Sequence, residues 1–298
     1  MQRYLPHIRP ATALRSIAVT STVLAVLCVS LAVADSKPRE RARYGGTVES
    51  DSYVRFTPFN LENGSKLTLI SPARWSDLAE ELVHSLRKTH AEYTEILGPI
   101  PAFSSSIRLM DEEAFYELTG APTWTNAMFF RGEIIIPLSK TKPIDIENLD
   151  RSVRHEFTHA VLSAMSGGQI PGWLDEGIAQ WSEGHEHPAL RHALRSWLKA
   201  KGPVPLSLLQ GGFTKLDASM VPAAYAESLL ASKAIIRAFG FRRISAYLAL
   251  LRRGDEKDSA FEAAFALSPK SFEEKLGQSL HTWADLPEPK ASALQGLQ

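Results

Sequence analysis

The sequence contains a single cysteine, Cys28, among its 298 residues, and it has no excess of charge of either sign. A lone cysteine forms no intrachain disulfide. A metal site elsewhere in the chain must therefore use histidine and carboxylate ligands rather than thiolates. The 33 basic residues are balanced by 33 acidic residues, which argues against a nucleic-acid-binding protein, whose basic residues would collect on one face.

Internal repeats are also absent, and 44% of the residues are apolar against 22% that are charged. This composition is typical of a globular protein with a sizeable core. It argues against wholesale disorder, a collagen-like chain and a protein that spans the membrane many times.

The first 34 residues differ from the rest of the chain. They carry three arginines and no acidic residue, and the stretch from Ile17 to Ala34 is uncharged. It ends in Ala-Val-Ala before Asp35, which is the small-x-small form of a signal peptidase site. We expect a cleaved secretory signal and an exported protein, either periplasmic or extracellular. The competing interpretation is an uncleaved membrane anchor, because the apolar run is just long enough to cross a bilayer.

The remaining chain divides by composition into a charged linker at 35–45, one folded domain at 46–286 and a polar tail at 287–298. Alternating runs at 52–56 and 66–70, separated by Asn63-Gly64, predict a pair of strands. A helix at 72–98, a strand at 107–110, a helix at 111–118 and a hairpin that turns at Gly132 follow. Helical patterns fill the rest, so we predict an α+β fold with a strand-bearing lobe before a helical lobe.

The most informative stretch is His155-Glu156-Phe157-Thr158-His159. It lies in a helical pattern over 146–165 that begins after a candidate N-cap, Asp145, and stops at Gly167-Gly168. Residues four apart share one face of a helix, so both imidazoles can reach a single ion. Glu156 projects about 100° away from His155, beside the ligands. This geometry suits a zinc hydrolase, in which the metal lowers the pKa of water and a nearby carboxylate takes the proton.

A catalytic zinc also needs a third protein ligand, and two histidines with one glutamate form a recognised set. A Gly- and Pro-rich run at 166–172 can reverse the chain and return a helix that begins near Trp173. Glu176 on this helix is the favoured third ligand. Asp175 is its rival, although it would point about 100° away on the same helix.

His155-Glu156-x-x-His159 followed by Trp-Leu-x-Glu176-Gly-x-Ala resembles the gluzincin zinc metallopeptidases, in particular the peptidase MA-like family, and more distantly the zinc aminopeptidases. In that family the two histidines and the glutamate of the Glu-Gly pair bind zinc. The glutamate between the histidines is the general base. The resemblance therefore implies His155, His159 and Glu176 as zinc ligands and Glu156 as the base.

The resemblance extends from about Trp75 to Trp283 and implies a thermolysin-like fold. Its small strand-bearing lobe has an edge strand that lines the cleft, and its second lobe is mostly helical. The chain lacks the Gly-x-Met-Glu-Asn motif of the aminopeptidases, of which 126–128 retains only Asn-Ala-Met. The resemblance therefore does not extend to recognition of a free substrate amino terminus.

Two further features have both a functional and a structural interpretation. Tyr225 opens a helix downstream of the ligands, where its phenol could stabilise an oxyanion, as a Tyr or His does in related enzymes. The alternative is a tyrosine packed at a helix start. The segment Phe129 to Pro137 could pair with an extended peptide by strand addition. Its alternative is a buried central strand, which Ile134-Ile135-Ile136 favours.

Three polar residues beyond the motif are weaker candidates. His185 and His187 could form a second metal site, but a lone His-x-His is more often part of an exposed loop. Gln180, one turn after Glu176, is a candidate partner for a ligand histidine.

The leading hypothesis is an exported zinc metallopeptidase with one Zn²⁺ per chain, a peptide or protein substrate and no nucleic-acid partner. Two alternatives stay open. One is a polypeptide-binding domain with little turnover and a structural zinc. The other is an amidase that cleaves a non-protein amide, such as a cell-wall crosslink.

Overall fold

The computed structural model describes residues 54–121, 125–184, 188–213 and 216–286. The predicted signal, linker and tail lie outside these residues, and so do His185 and His187. Within the described ranges, no helix combines the length and apolar character needed to cross a membrane.

In the described part of the chain, five strands form one mixed sheet in the order β1-β2-β3-β5-β4. β2, β3 and β5 run parallel, while β1 and β4 are antiparallel to their neighbours β2 and β5. The predicted strand pair and the predicted hairpin are thus both confirmed. The strands are β1 Val54–Asn60, β2 Lys66–Pro72, β3 Ser104–Asp111, β4 Met128–Phe130 and β5 Glu133–Leu138.

Helices dominate after the sheet, which confirms the predicted α+β fold. The first helix begins later than predicted, because β2 continues to Pro72 and a 3-10 turn, Ala73–Trp75, precedes it. A non-helical residue, Gly240, divides the longest helix. The helices are α1 Ser76–Leu97, α2 Glu112–Thr119, α3 Ile146–Ser166, α4 Gly172–Ser182, α5 Pro188–Lys201, α6 Val221–Arg252, α7 Lys257–Phe265 and α8 Pro269–Asp285.

The sheet is buried on both faces at β5. Ile134 and Ile136 belong to the main core together with residues of α1 and α3, while Ile135 packs with Phe115 of α2. β5 pairs with β3 on one side and, at residues 133–135, with β4 on the other, so this part of β5 has no free edge for a peptide. The central-strand interpretation is therefore correct for β5, and strand addition over the whole of Phe129 to Pro137 is wrong. Among the described strands, β4 is the edge on this side of the sheet.

Helix α3 begins and ends where its sequence predicts. The Oδ1 atom of Asp145 accepts a hydrogen bond from the backbone N–H of Asn148, which caps the amino end of the helix. Gly167 ends the helix in the left-handed conformation. Such caps satisfy backbone groups that the helix itself cannot pair. They fix the start and end of the helix that carries the two histidines.

Helices α4 and α6 approach each other closely at Gly177. A Cβ atom at this position would overlap the backbone oxygen and carbon of Ser228 and the Oγ atom of Ser232. Glycine is therefore required here for steric reasons, since its missing side chain allows two backbones to come together. The contact positions α4, and with it Glu176, against α6.

Candidate metal centre

His155 and His159 lie one turn apart on α3, and both side chains are almost completely buried. Their ring centroids are 4.9 Å apart, with an interplanar angle of 72°. The i, i+4 spacing therefore presents both imidazoles to the same volume, as expected from helix geometry.

A short connection after α3 brings α4 back across the two histidines. Oε2 of Glu176 lies 3.7 Å from Nε2 of His155 and 4.0 Å from Nε2 of His159. The three ligand atoms lie within 4.8 Å of one another, and within the described ranges no other group of three His, Cys, Asp or Glu residues has this geometry.

These residues fit a zinc ion for two reasons: the types of ligand that they offer, and the presence of buried ligand atoms that make no hydrogen bond within the described residues. Two imidazoles and one carboxylate are a recognised set for catalytic zinc. Nε2 of His159 and Oε2 of Glu176 are buried and make no hydrogen bond within the described part of the chain. Buried polar atoms are normally satisfied, so atoms that converge in this way indicate a ligand.

Carboxylates hold the opposite nitrogen of each imidazole. Nδ1 of His155 lies 2.6 Å from Oε1 of Glu183, and Nδ1 of His159 lies 3.0 Å from Oδ1 of Asp175. Such partners fix the tautomer and ring orientation of a ligand histidine. Asp175, the rival third ligand, thus contacts the far side of His159 instead of joining the ligand cluster.

The predicted contact between Gln180 and a ligand histidine does not form. The Nε2 atom of Gln180 donates to the backbone oxygens of Glu176 and Tyr225 at 3.3 and 2.9 Å. The residue that does reach a histidine, Glu183, was missed. It lies seven residues after Glu176, and seven residues are nearly two full turns, so helical periodicity could have placed both carboxylates on one face.

The charges around His159 change the pKa of its imidazole. Burial alone would lower the pKa of His159, but the charge of Asp175, its contact with the ring and the charge of Glu176 raise this pKa to about 9. Without a metal, the imidazole would therefore carry a proton at neutral pH. A metal ion must displace that proton, because only the neutral ring is a ligand.

Glu156 follows His155 directly and is completely buried. The next polar residue on this helix, Thr158, joins three elements. Its Oγ1 lies 2.6 Å from Oη of Tyr93 on α1 and 2.9 Å from Oγ of Ser182 on α4, and it donates to the backbone oxygen of Arg154. This buried network holds α3 in place between α1 and α4.

Tyr225 lies near the amino end of α6 and is buried. Its backbone oxygen accepts the hydrogen bond from Gln180, and its ring packs edge-on against Phe213 at 5.0 Å. The fold thus brings Tyr225 against α4, one turn beyond Glu176. Its proposed role at an oxyanion stays a prediction.

The edge strand β4 runs beside His159. The ring of Phe129 lies parallel to that of His159, with centroids 6.5 Å apart and an interplanar angle of 15°. Strand β4 therefore forms one wall next to the candidate metal centre, and α3 forms another.

Comparison with known families gives a match over more than half of the chain. The family described as the Peptidase MA superfamily matches residues 109–282, which include α3, α4 and most of α8. No curated protein matches the chain.

Solved structures with a similar fold include zinc metallopeptidases. A mutant M1 zinc metallopeptidase from Deinococcus radiodurans, bound to a Tyr-Ser-Ala substrate, is 16% identical over 79% of this chain and 53% of its own, with a TM-score of 0.43. Legionella pneumophila aminopeptidase A in complex with aspartic acid is 14% identical over 76% of this chain and 28% of its own, with a TM-score of 0.46. The chain spans about half the length of the Deinococcus protein.

Proposed function

The chain belongs to the Peptidase MA superfamily, and we propose that it is a zinc-dependent peptidase that hydrolyses peptide bonds in a peptide or protein substrate. One observation carries the proposal. Two adjacent helices bring His155, His159 and Glu176 together in a buried cluster, and a buried glutamate, Glu156, stands next to the first ligand.

His155, His159 and Glu176 would hold one zinc ion. When bound, zinc lowers the pKa of water towards neutrality and polarises the carbonyl of the substrate. Glu183 and Asp175 would orient the two imidazoles so that their Nε2 atoms face the ion. The low exposure of all three ligands would exclude bulk water and strengthen electrostatic interactions within the centre.

Glu156 acts as the general base in this proposal. Its carboxylate takes a proton from the attacking water and passes it to the leaving amine, because a buried carboxylate beside the ligands can serve in both steps. Tyr225 would donate a hydrogen bond to the oxyanion that forms when water adds to the carbonyl. The edge strand β4 would hold the substrate backbone in an extended conformation.

Metal content gives the first test. The chain from Asp35 onward should contain about one zinc per molecule by elemental analysis, since the cluster offers one set of three ligands. The His155→Ala/Glu176→Ala double variant should contain none while its circular dichroism spectrum stays helical. A folded parent chain without zinc would refute the metal centre and the peptidase together.

Glu156→Gln tests the assignment of the base. The variant should keep its zinc and lose peptide hydrolysis by a factor of about 10² or more, since general-base catalysis contributes roughly 10² to 10⁴. Hydrolysis at the parent rate would show that another group removes the proton. Glu147→Gln, at an exposed position on the same helix, is the matched control.

Export is a further part of the proposal, and it rests on the composition of residues 1–34. We expect the mature chain to begin at Asp35 in an extracytoplasmic fraction, which amino-terminal sequencing would establish. A chain that starts at Met1 and stays with the membrane would instead favour an uncleaved anchor.

A further inference from the structure

The hairpin between β4 and β5 turns through Arg131 and Gly132. Both residues have positive φ angles, of 50° and 82°. Two-residue hairpin loops of this kind need the left-handed conformation and favour Asn-Gly or Gly-Gly. An arginine is strained there, because its Cβ atom crowds the following carbonyl oxygen. Gly132 thus suits the turn, and Arg131 does not.

No ion pair or hydrogen bond of the Arg131 side chain offsets this strain within the described residues. The side chain is exposed, and its guanidinium carbon lies 4.9 Å from the centre of the Phe130 ring. Glu133, which is opposite Phe130 on β5, is already paired with Arg108 at 2.8 Å. The positive charge at the tip of the hairpin is therefore not neutralised by the fold. Strained backbone that the fold does not require points to a functional constraint.

Arg131 ends the strand that lies beside the candidate metal centre. Phe129 on this strand stacks parallel to the ring of His159, with centroids 6.5 Å apart. Phe130 points to the opposite face of the sheet, where it packs with the apolar cluster around Phe115. The guanidinium of Arg131 therefore lies on the Phe130 face of β4, one strand position beyond the residue that contacts a proposed metal ligand.

A substrate that pairs with the edge of β4 would place its side chains alternately on the same two faces. Its residue beside Phe129 would face the metal centre. Its next residue, about 3.3 Å further along the chain, would lie beside Phe130. Cross-strand neighbours are about 4.5 to 5.5 Å apart, so this side chain would be within reach of the Arg131 guanidinium. The contacted residue is thus within one or two positions of the scissile bond.

A guanidinium in this position favours a carboxylate. Its planar fork of N–H donors matches the two oxygens of Asp or Glu, and the aromatic ring beneath it holds its orientation. We propose that Arg131 is a specificity-determining residue that selects substrates with Asp or Glu next to the scissile bond. The inference rests on the proposed peptidase function, and it names the substrate class of that site.

Peptide pairs that differ in charge but hardly in shape test the proposal. Glu is compared with Gln, and Asp with Asn, at the two positions on each side of the cleaved bond. One position should favour the acidic residue roughly fivefold in kcat/KM, the size expected of one partly exposed ion pair. The ratio should fall towards one in about 1 M salt, which screens such a pair. Zinc-loaded Glu156→Gln should show the same preference in Kd, which is measured without turnover.

Substitutions of Arg131 identify the source of the preference. Arg131→Asn removes the charge with a residue that suits the turn, and it should bring the Glu-to-Gln ratio of kcat/KM near one. Arg131→Lys keeps the charge without the planar fork and should give an intermediate ratio. Arg87→Gln is the matched control, because Arg87 is also exposed and lies over a phenylalanine ring, that of Phe59 on β1. Since β1 and β4 are at opposite ends of the strand order, the control should leave the ratio as in the parent.

Urea denaturation tests whether the fold itself needs Arg131. Asn tolerates the left-handed conformation better than Arg, so Arg131→Asn should unfold at the same or a higher urea midpoint than the parent. A clearly lower midpoint would assign the arginine a structural role and overturn the inference.

The outcomes separate this inference from the proposed function. Peptide cleavage without preference, or with a preference that the Arg131 variants do not alter, would overturn the inference and leave the peptidase intact. Arg131-dependent binding of acidic peptides without cleavage by the zinc-loaded parent would overturn the peptidase and support the role of Arg131. A zinc-loaded chain that neither binds nor cleaves any peptide would overturn both.

Discussion

Nδ1 of His155 lies 2.6 Å from Oε1 of Glu183, the residue that directly follows α4. Both side chains are buried, so the contact is shielded from solvent. The carboxylate therefore fixes which nitrogen of His155 faces Glu176.

We expect Glu183→Ala to weaken zinc binding by about 10- to 100-fold, the usual effect of losing a carboxylate that orients a ligand histidine. Glu183→Gln should have a smaller effect, because its amide oxygen still accepts the Nδ1–H hydrogen bond. Competition with a chromophoric chelator measures the affinity. Glu147→Gln, which breaks an exposed ion pair with Arg151 on α3, is the control. Equal affinities in all four proteins would remove Glu183 from the metal centre.

Two glycines in helices test the contact between α4 and α6, because Gly177 lies at this contact and Gly277, on α8, lies outside it. Gly177→Ala should destabilise the protein by about 3 kcal/mol or more, because the new methyl group overlaps the backbone of α6. At Gly277 a Cβ would meet Cγ of Pro203 at 3.6 Å, an ordinary contact. Gly277→Ala should therefore stabilise α8 by about 0.5 to 1 kcal/mol through helix propensity. Urea denaturation measures both changes, and a neutral Gly177→Ala would contradict the close approach.

The hydroxyl of Thr158 is expected to stabilise the fold through its three-way network. Thr158→Val leaves the phenol of Tyr93 without its 2.6 Å partner, and we expect a loss of about 1 to 3 kcal/mol. Thr282→Val is the control, since Thr282 also donates to the carbonyl four residues earlier but is exposed. The free energy of unfolding should be clearly lower for Thr158→Val than for Thr282→Val. Similar values for the two variants would show that the network does not stabilise the fold.

Glu227 makes stability depend on pH. Burial raises the pKa of this carboxyl group to about 7, even though its Oε2 accepts a hydrogen bond from the N–H of Val204. The folded chain thus keeps a proton that the unfolded chain has already lost. The contribution of this protonated carboxyl group to the free energy of unfolding is fully present below pH 4.5, its ordinary pKa. It is lost as the pH rises through about 7.

Glu227→Gln removes this dependence, because the amide stays neutral and can still accept from Val204. Relative to the parent, the variant should gain up to about 3 kcal/mol between pH 4.5 and 8, given about 1.4 kcal/mol for each pKa unit. Denaturation in urea at several pH values gives the difference. A constant offset between the two proteins would show that Glu227 does not titrate in this range.

Local patterns were sufficient to predict the helix of the two histidines. Its apolar periodicity, the Asp145 cap and the Gly167 stop all act within a few residues, so no tertiary information was needed. The strand pair and the hairpin at Gly132 are local in the same sense. The return of α4 towards α3 could also be predicted, because the Gly- and Pro-rich segment between the two helices is visible in the sequence.

Contacts between elements were harder to predict. The position of Gln180, one turn after Glu176, made it a reasonable partner for a histidine. In the structure its side-chain amide instead donates a hydrogen bond to the backbone oxygen of Tyr225 on α6. Gly177 approaches the backbone of Ser228 only because α4 and α6 pack together. The periodicity of residues along the chain does not predict contacts of this kind between distant elements.

Helix α4 and its C-cap residue carry the proposed third ligand, Glu176, and also both orienting carboxylates, Asp175 and Glu183. A displacement of this one helix would withdraw all three groups at the same time. Loss of metal should therefore be all-or-none along a temperature ramp rather than graded, with zinc release and the separation of α4 from α3 occurring as a single cooperative event.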